Sequence, residues 1–298
     1  MKVLILGANG FVGKNISIFL NKNTNHKIIS HNRSKCDLSK SHETTNYIRK
    51  IQPNFVINAA GKVGGIVSHL GNNYDFLIQN TILNINIVNG LIDNGIKKFL
   101  NLSSSCAYPT NIKEPFNEKD FVFGNFEPTN EGYAIAKQLT NYLIKFSIKE
   151  KGLNYKQIIP SNLFGPYDDF SKTKSHLVAS IVKKCHEFKI GKTKKIEILG
   201  SGKPKRQFLF VEDLAKLVNS YINNYNKFPS TVNFASKYNY SVKNYHEKIF
   251  KIICKSKINE SFIYNKKFPD GVYSKKISNK RLKKYYNPQF TSFESSIL

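Results

Sequence analysis

The sequence has no tryptophan, one methionine and only four cysteines among its 298 residues. The cysteines, Cys36, Cys106, Cys185 and Cys254, form no CxxC pair and no regular spacing. Neither a disulfide-stapled scaffold nor a zinc site is therefore indicated, and we predict no metal. Each cysteine is most simply a reduced thiol, but Cys106 lies in an unusual run, SSSCAYP, directly after the apolar run KKFLNL.

Long hydrophobic runs are also missing. No segment approaches the roughly 20 apolar residues that a membrane span needs, so we predict no membrane partner. The N-terminus, MKVLILGANG, superficially resembles a secretion signal, but its apolar run is short and is broken by Gly7 and Gly10. We therefore interpret it as a first β-strand and expect the protein to be cytoplasmic.

Acidic residues are scarce. Twenty Asp and Glu stand against 46 Lys and Arg, which gives a net charge of +26. Lysine is spread along the whole chain, a pattern that favours a drift of composition over a nucleic-acid interface. We predict no nucleic-acid partner. The interpretation that the positive charge attracts a polyanionic small molecule needs fewer assumptions than a nucleic-acid interface does.

Strand-like apolar runs alternate with helix-like stretches through the first half of the chain. The strand-like runs are KVLILG, HKIISH, NFVINAA, KKFLNLSS and NYKQIIPSNLFG. The longest helical patterns run from about Tyr74 to Gly95 and from about Asn130 to Lys151. This alternation predicts an α/β fold with a doubly wound, Rossmann-type parallel sheet.

The pattern weakens from Gly165 onward, where loops rich in Lys, Ser and Gly appear, and a helical pattern returns at VEDLAKLVNSYI. We therefore predict a nucleotide-binding domain of residues 1–164 plus about 207–237. A smaller C-terminal α/β substrate lobe would comprise about 165–206 plus 238–298.

A glycine-rich segment follows the first strand and opens a helix. Its spacing is GxxGxxG, and the residues expected to hold the cofactor are Gly7, Asn9, Gly10, Phe11, Val12 and Gly13. Glycines allow a tight turn and a close backbone approach to a diphosphate, and the helix N-terminus favours the anion. This position predicts a dinucleotide site.

The end of the second predicted strand bears on which dinucleotide binds. A site for NAD usually places a carboxylate there, but this chain has Arg33, with Lys35 nearby. A guanidinium suits a 2′-phosphate, so we favour NADP(H), although Arg33 could be an ordinary exposed arginine. Asp37 and Leu38 come slightly later and could lie at the adenine edge.

Tyr133 and Lys137 are four residues apart in GYAIAK, after a plausible helix start at Pro128-Thr129-Asn130. Both side chains would project from one helix face. We expect the lysine to lower the pKa of the phenol, which would make Tyr133 a proton donor or acceptor near neutral pH. A serine hydroxyl from a neighbouring strand end could hold the substrate oxygen.

These residues together resemble the extended short-chain dehydrogenase/reductase family and, within it, the GDP-L-fucose synthases. The motifs that carry the narrower resemblance are NAAGKVGGI (58–66), SSSCAYP (103–109), EPTNEGYAIAK (127–137), PSNLFGPYDDF (160–170), SHLVASIVKK (175–184) and GSGKPKRQFLFVEDLA (200–215). The resemblance implies that the substrate is a GDP-keto-sugar. GDP-4-keto-6-deoxymannose would be epimerised at C3 and C5 and then reduced at C4 with NADPH.

The resemblance also implies a role for each reactive residue. Cys106 and His176 match the acid/base pair of the epimerisation. Ser104, with Ser105 as an adjacent possibility, Tyr133 and Lys137 match the reductase triad. Read without the resemblance, Cys106 could be a small buried thiol and His176 a surface or helix-capping histidine.

Further site residues follow from the same resemblance. Those implied to contact the cofactor are Ala59, Ala60, Lys137, Pro160, Asn162, Leu163 and His176. Those implied to contact the substrate are Lys184, Leu199, Arg206 and Lys275, of which Arg206 is the best placed. A homodimer is also implied, through a face made by the helices after Tyr74 and Asn130.

The chain departs from the family pattern in ways that leave alternatives open. Leu199 stands where the family usually has a tryptophan just before GSG, EGY replaces the more usual EPY, and the final helix is shortened. A reductase of another GDP-4-keto-6-deoxy sugar, such as a heptose, with partial or no epimerisation is therefore an alternative. A second alternative is a non-catalytic NADP-binding sensor.

Overall fold

The computed structural model describes residues 1–171, 174–255 and 261–298. The strands are β1 (Lys2–Leu6), β2 (Lys27–Ser30), β3 (Phe55–Asn58), β4 (Phe99–Leu102), β5 (Lys156–Pro160), β6 (Asn162–Phe164), β7 (Ile196–Leu199), β8 (Lys205–Phe210), β9 (Thr231–Phe234), β10 (Asn239–Ser241) and β11 (Phe262–Asn265). The helices are α1 (Phe11–Asn23), α2 (Ser41–Ile51), α3 (Ile66–His69), α4 (Asn73–Asp93), α5 (Glu131–Lys151), α6 (Leu177–Lys189), α7 (Val211–Asn224), α8 (Val242–Cys254) and α9 (Phe293–Ile297).

The larger sheet has six parallel strands in the order β2-β1-β3-β4-β5-β9. Alternate side chains of β1 point to opposite faces, so that Val3 and Ile5 pack in one layer and Leu4 and Leu6 in the other. Helices α1 and α7 cover the first face, and α2, α4 and α5 cover the second. The predicted α/β doubly wound fold is confirmed.

The strand order reverses between β1 and β3, because the chain runs outward to β2 and then returns to the other side of β1. In open α/β sheets, ligands bind at the carboxyl ends of the strands beside such a reversal. Gly7 follows β1 and Ala59 follows β3, so the glycine-rich segment lies at this crevice.

The smaller part of the molecule contains two short sheets. One has the order β10-β8-β6, and the other pairs β11 with β7. Helices α6 and α8 pack against each other, and their core includes Phe164, Ile181, Phe208, Phe250 and Phe293. Strand β9 returns to the edge of the larger sheet, and the domain boundaries given above stay a prediction.

Within the described ranges, no helix is both long enough and apolar enough to cross a membrane. The predicted helix start before Tyr133 is confirmed. A 3-10 turn at Pro128–Asn130 leads into α5, which is capped after Lys151 by Gly152 with φ of 63°.

Candidate active site

A cavity of about 430 Å³ extends from the first turn of α1 to the smaller sheets. The five residues predicted to be catalytic all contribute to its wall: Ser104, Cys106, Tyr133, Lys137 and His176. They come from the turn after β4, from α5 and from the start of α6. The fold therefore brings together residues that are up to 72 positions apart in the sequence, as Ser104 and His176 are.

The glycine-rich turn is shaped for close backbone contact. Gly7 has φ of 77°, and the N–H of Gly10 donates to the carbonyl of Gly7 at 3.0 Å. A Cβ at Gly7 would lie 2.7 Å from Cα of Ala60, and one at Gly13 would collide with the backbone of Gly7. The first turn of α1 has no acidic residue, so its N-terminus is suited to an anion.

His31 connects this turn to the loop after β2, a role that no sequence motif indicates. Its Nδ1 accepts from the N–H of Gly7 at 3.4 Å, so Nε2 carries the proton and donates to the carbonyl of Cys36 at 2.9 Å. The side chain is buried, and this burial lowers its pKa. A neutral His31 therefore links the two loops that a dinucleotide would contact.

The residues predicted at the adenine end occupy different environments. The Arg33 side chain is 87% exposed and lies 3.6 Å from the carboxylate of Asp37. Hydrogen bonds from Ser39 lower the pKa of Asp37. The Leu38 side chain is buried in the core, so its side chain is not available at the adenine edge. Arg33 has the exposure that a partner for a 2′-phosphate requires.

The other residues implied to contact the cofactor separate into two groups. Those in the cavity wall are Gly10, Phe11, Val12, Ala59, Ala60, Pro160, Asn162 and Leu163. Gly7, Asn9, Gly13, Arg33, Asp37 and Leu38 lie outside that wall. The glycine cradle, the anion-binding helix end and the exposed guanidinium together fit an NADP(H) molecule.

Tyr133 and Lys137 lie side by side on α5. The Lys137 ammonium is 5.6 Å from the centroid of the Tyr133 ring and donates to the carbonyl of Leu102 at 3.0 Å. Burial lowers the pKa of Lys137 to about 8. Burial also raises the pKa of Tyr133 well above its usual value, an effect that a hydrogen bond with Ser104 only partly offsets.

The expectation that Lys137 lowers the pKa of Tyr133 is therefore wrong for this structure. The dominant effect on each group is its removal from water, because desolvation disfavours the charged form. Tyr133 is consequently a protonated phenol near neutral pH, which is the state of a proton donor.

A short 3-10 turn, Ser105–Ala107, carries the cysteine. The Ser104 hydroxyl accepts from the N–H of Cys106 at 3.2 Å, and Ser105 is buried. The hydrogen bond between Ser104 and Tyr133 favours Ser104 over Ser105 as the triad hydroxyl. The Cys106 thiol lies 3.9 Å from Oδ1 of Asn162 and is half-buried.

His176 occupies the N-cap position of α6, but its side chain makes no capping hydrogen bond. Its Nδ1 instead lies 3.1 Å from Oδ1 of Asp168, whose carboxylate is buried. A second histidine, His69, also lines the cavity, stacks on Phe76 and meets the Tyr133 ring edge-on. Burial lowers the pKa of His69 to about 4.

Sequence reasoning missed both Asp168 and His69. Asp168 lies within the quoted PYDDF segment, but nothing in its spacing connects it to His176. His69 follows the quoted AGKVGGI run on α3, a helix too short to give a periodic signal.

The four residues implied to contact the substrate also line the cavity: Lys184, Leu199, Arg206 and Lys275. The Lys184 ammonium donates to the carbonyl of Glu197 at 2.8 Å, and that of Lys275 lies 3.5 Å from the carbonyl of Cys106. Burial lowers the pKa of Lys184, Arg206 and Lys275. The cavity wall therefore carries three basic side chains that are partly removed from water.

Comparison with known proteins gives related enzymes over nearly the whole chain. The sequence is 36% identical to GDP-L-colitose synthase of Yersinia pseudotuberculosis, over 100% of this chain and 96% of that protein. It is 34% identical to GDP-L-fucose synthase of Azorhizobium caulinodans, over 92% and 86% respectively.

Solved structures agree in fold. A GDP-L-fucose synthetase from Naegleria fowleri bound to NADP has a TM-score of 0.88 at 26% identity, covering 99% of this chain and 91% of that one. A GDP-6-OMe-4-keto-L-xylo-heptose reductase from Campylobacter jejuni has a TM-score of 0.91 at 19% identity, covering 99% and 95%. Residues 3–235 match the model of the NAD dependent epimerase/dehydratase family. The glycine cradle, the Tyr133–Lys137 pair and these matches agree, and the chain belongs to that family.

Proposed function

We propose that this protein is an NADPH-dependent epimerase and reductase of a GDP-4-keto-6-deoxy sugar, which converts GDP-4-keto-6-deoxy-D-mannose to GDP-L-fucose. The observation that carries the proposal is a single cavity that holds both Cys106 with His176 and Ser104 with Tyr133 and Lys137. The first pair suits epimerisation and the second set suits reduction. The names of the related GDP-sugar enzymes support the same assignment.

The basic side chains of the cavity wall provide for the nucleotide part of the substrate. Lys275 is buried, and Arg206 and Lys184 are half-buried. Partial desolvation strengthens their attraction for a diphosphate, because fewer water molecules screen the charges.

Epimerisation needs an acid and a base on opposite faces of the sugar. A carbon beside the ketone loses its proton to one group, which leaves an enolate, and the other group returns a proton from the opposite face. Cys106 and His176 come from different parts of the chain and meet at the cavity. A thiolate that takes the proton becomes a thiol, and an imidazolium that gives one becomes an imidazole.

Reduction uses the groups on α5. NADPH, when bound, supplies the hydride for C4. Tyr133 donates its phenolic proton to the C4 oxygen, and the Ser104 hydroxyl holds that oxygen in place. The Lys137 ammonium would stabilise the phenolate that Tyr133 becomes, and it would also hold a ribose hydroxyl of the bound cofactor.

A homodimer is part of the proposal. The side chains of Tyr74, Ile78, Ile82 and Ile85 are between 37% and 75% exposed and recur every three or four residues along α4. They therefore form one apolar stripe beside α5. Pairing this stripe with a second copy would remove it from water. All four cysteines are free thiols, which suits a cytoplasmic location.

Leu199 supports a second candidate within the same class. It lines the cavity where the resemblance leads one to expect a tryptophan, so the wall offers less aromatic surface there. The 36% identical relative is named GDP-L-colitose synthase. Another GDP-4-keto-6-deoxy sugar, including the heptose type, is therefore the alternative substrate. A non-catalytic NADP-binding sensor is less favoured, because it would not need the reductase residues.

Steady-state assays with a panel of substrates test the proposal. The purified protein is mixed with NADPH and either GDP-4-keto-6-deoxymannose, the heptose analogue or the keto precursor of GDP-L-colitose. We expect the highest kcat/KM with GDP-4-keto-6-deoxymannose. A higher value with another sugar would favour the second candidate. Tight NADPH binding without oxidation on any sugar would favour the sensor.

A further inference from the structure

A buried carboxylate that the proposed mechanism does not use lies beside His176. The Asp168 side chain is 2% exposed, whereas that of His176 is 32% exposed. Oδ1 of Asp168 accepts from the N–H of Asp169 at 2.8 Å and lies 3.1 Å from Nδ1 of His176. Its Oδ2 is buried and has no hydrogen-bond partner within residues 1–171, 174–255 and 261–298.

We propose that Asp168 is a positioning residue that fixes the tautomer of His176 and faces the charge that forms on its ring during proton transfer. The inference rests on the proposed function, in which His176 acts as an acid or base. A carboxylate only accepts hydrogen bonds, so Nδ1 of His176 must carry a proton. Nε2 is then the nitrogen that remains for proton transfer with the sugar.

The charge of Asp168 has a further consequence. When His176 is the acid, its imidazolium gives the Nε2 proton to carbon and becomes neutral, while the Nδ1–H bond to Asp168 persists. When it is the base, it takes a proton at Nε2, and the carboxylate balances the new positive charge. Exchange with solvent water restores the starting state, so no other reactant is needed.

Other titratable groups near His176 do not replace this carboxylate. His69 is close enough to His176 for their charges to interact, but burial lowers the pKa of His69 and keeps its imidazole neutral. Asp169 is exposed, and its Oδ1 accepts from the N–H of Ser171 at 2.6 Å. A buried carboxylate with an unpaired oxygen is unusual in a folded protein, and support of a catalytic histidine explains why it is there.

Two variants of Asp168 separate the effect of its hydrogen bond with His176 from the effect of its negative charge. In Asp168→Asn, the N–H of Asp169 still needs an acceptor, so the amide oxygen stays at Oδ1 and continues to accept from His176. The tautomer is then retained but the charge is lost. Asp168→Ala removes both. Asp169→Asn is the matched control, since it neutralises the exposed neighbouring carboxylate.

Two measurements on the full chain test the inference. The first is the nitrogen-15 NMR signature of His176, which distinguishes a proton on Nδ1 from one on Nε2. The second is the rate of deuterium incorporation into GDP-4-keto-6-deoxymannose in deuterated water without NADPH. NADPH affinity and melting temperature are recorded for each variant.

We expect wild type and Asp168→Asn to keep Nδ1–H, and Asp168→Ala to shift toward Nε2–H. Deuterium incorporation should fall about 10-fold in Asp168→Asn and about 100-fold in Asp168→Ala. NADPH affinity and the Asp169→Asn rate should stay within about twofold of wild type.

Unchanged tautomer and unchanged deuterium incorporation in both Asp168 variants would overturn the inference. Failure of the proposed function gives a different result, namely no deuterium incorporation by the wild-type protein. The NMR comparison still tests the role of Asp168 in that case. If Asp168→Ala does not fold, Asp168→Asn alone tests the inference. A loss of deuterium incorporation at unchanged NADPH affinity would support the role of Asp168, and unchanged incorporation would overturn it.

Discussion

At the scale of single residues, burial decides the chemistry of the reductase groups. Tyr133 and Lys137 are both almost fully removed from water, and each is shifted toward its neutral form. Tyr133 is thus poised to give a proton, and Lys137 has its pKa lowered to about 8, close to physiological pH. In the proposed mechanism, the proton-donating step and the epimerising step use different side chains, so the two activities should be separable.

Tyr133→Phe tests that separation. Removing the hydroxyl takes away the proton donor for C4, so we expect NADPH oxidation to fall by about 10²–10⁴-fold. Deuterium incorporation at C3 and C5 should change by less than about threefold, because Cys106 and His176 remain. Parallel loss of both activities at unchanged melting temperature would contradict independent steps.

The lowered pKa of Lys137 predicts that both stability and the rate of reduction depend on pH. Its pKa is lowered from 10.5 to about 8 in the fold, so the folded protein loses this proton before the unfolded chain does. Between about pH 8 and 10.5 the unfolded state binds more protons, and this group's contribution to stability therefore rises with pH. Reduction needs the ammonium, so we expect kcat/KM for NADPH oxidation to decline above about pH 8.

The same pH series includes Lys137→Arg as its control, since a guanidinium stays charged throughout. This variant should show a lower rate but no decline of kcat/KM near pH 8. An identical alkaline decline in Lys137→Arg would assign the effect to another group.

Sequence reasoning at this scale points to residues that lie in motifs and misses contacts that depend on the path of a loop. Ser104, Cys106, Tyr133, Lys137 and His176 were predicted and share one cavity. The contacts of Asp168, His69 and His31 join segments whose relative positions no spacing reveals. The pKa of Tyr133 was predicted in the wrong direction, because YxxxK spacing does not report burial.

At the scale of elements, His31 links two loops that would contact the cofactor. It accepts from Gly7 at the end of β1 and donates to Cys36 in the loop after β2. His31→Leu removes both hydrogen bonds and leaves an apolar side chain of similar volume in the same buried place. We expect the Kd for NADPH to rise about 10-fold, equivalent to about 1.4 kcal/mol.

That effect is measured by titration calorimetry, with kcat at saturating NADPH as a second readout. His42→Leu, on the exposed side of α2, is the matched control. We expect kcat to stay within about twofold in both variants. An unchanged Kd in His31→Leu would show that the two loops hold their positions without this histidine.

The first five strands could be predicted from the alternation of apolar runs with helical patterns, whereas most later strands could not. Strands β1 to β5 each lie in such a run, and the helices α4 and α5 between them have 21 residues each. Strands β7, β9, β10 and β11 lie in the second half of the chain, where no such alternation marks a strand. Their pairing depends on contacts with distant segments, such as β10 with β8.

At the scale of the whole molecule, the apolar stripe on α4 predicts self-association. Ile82→Lys places a charge at its centre and should convert a dimer to a monomer, as measured by light scattering during gel filtration. Ile190→Lys is the control, because Ile190 is 61% exposed at the end of α6, away from the stripe. If Ile82→Lys is still a dimer, the dimer interface does not include the stripe on α4.

The central claim is that one cavity both epimerises and reduces a GDP-keto-sugar. Incubation with GDP-4-keto-6-deoxymannose in deuterated water, with and without NADPH, tests it most directly. We predict deuterium at C3 and C5 in both cases, with GDP-L-fucose formed only when NADPH is present. Cys106→Ser should lose most of the deuterium incorporation. NADPH oxidation that leaves both carbons free of deuterium would contradict the claim and leave a 4-keto reductase in which Cys106 has no catalytic role.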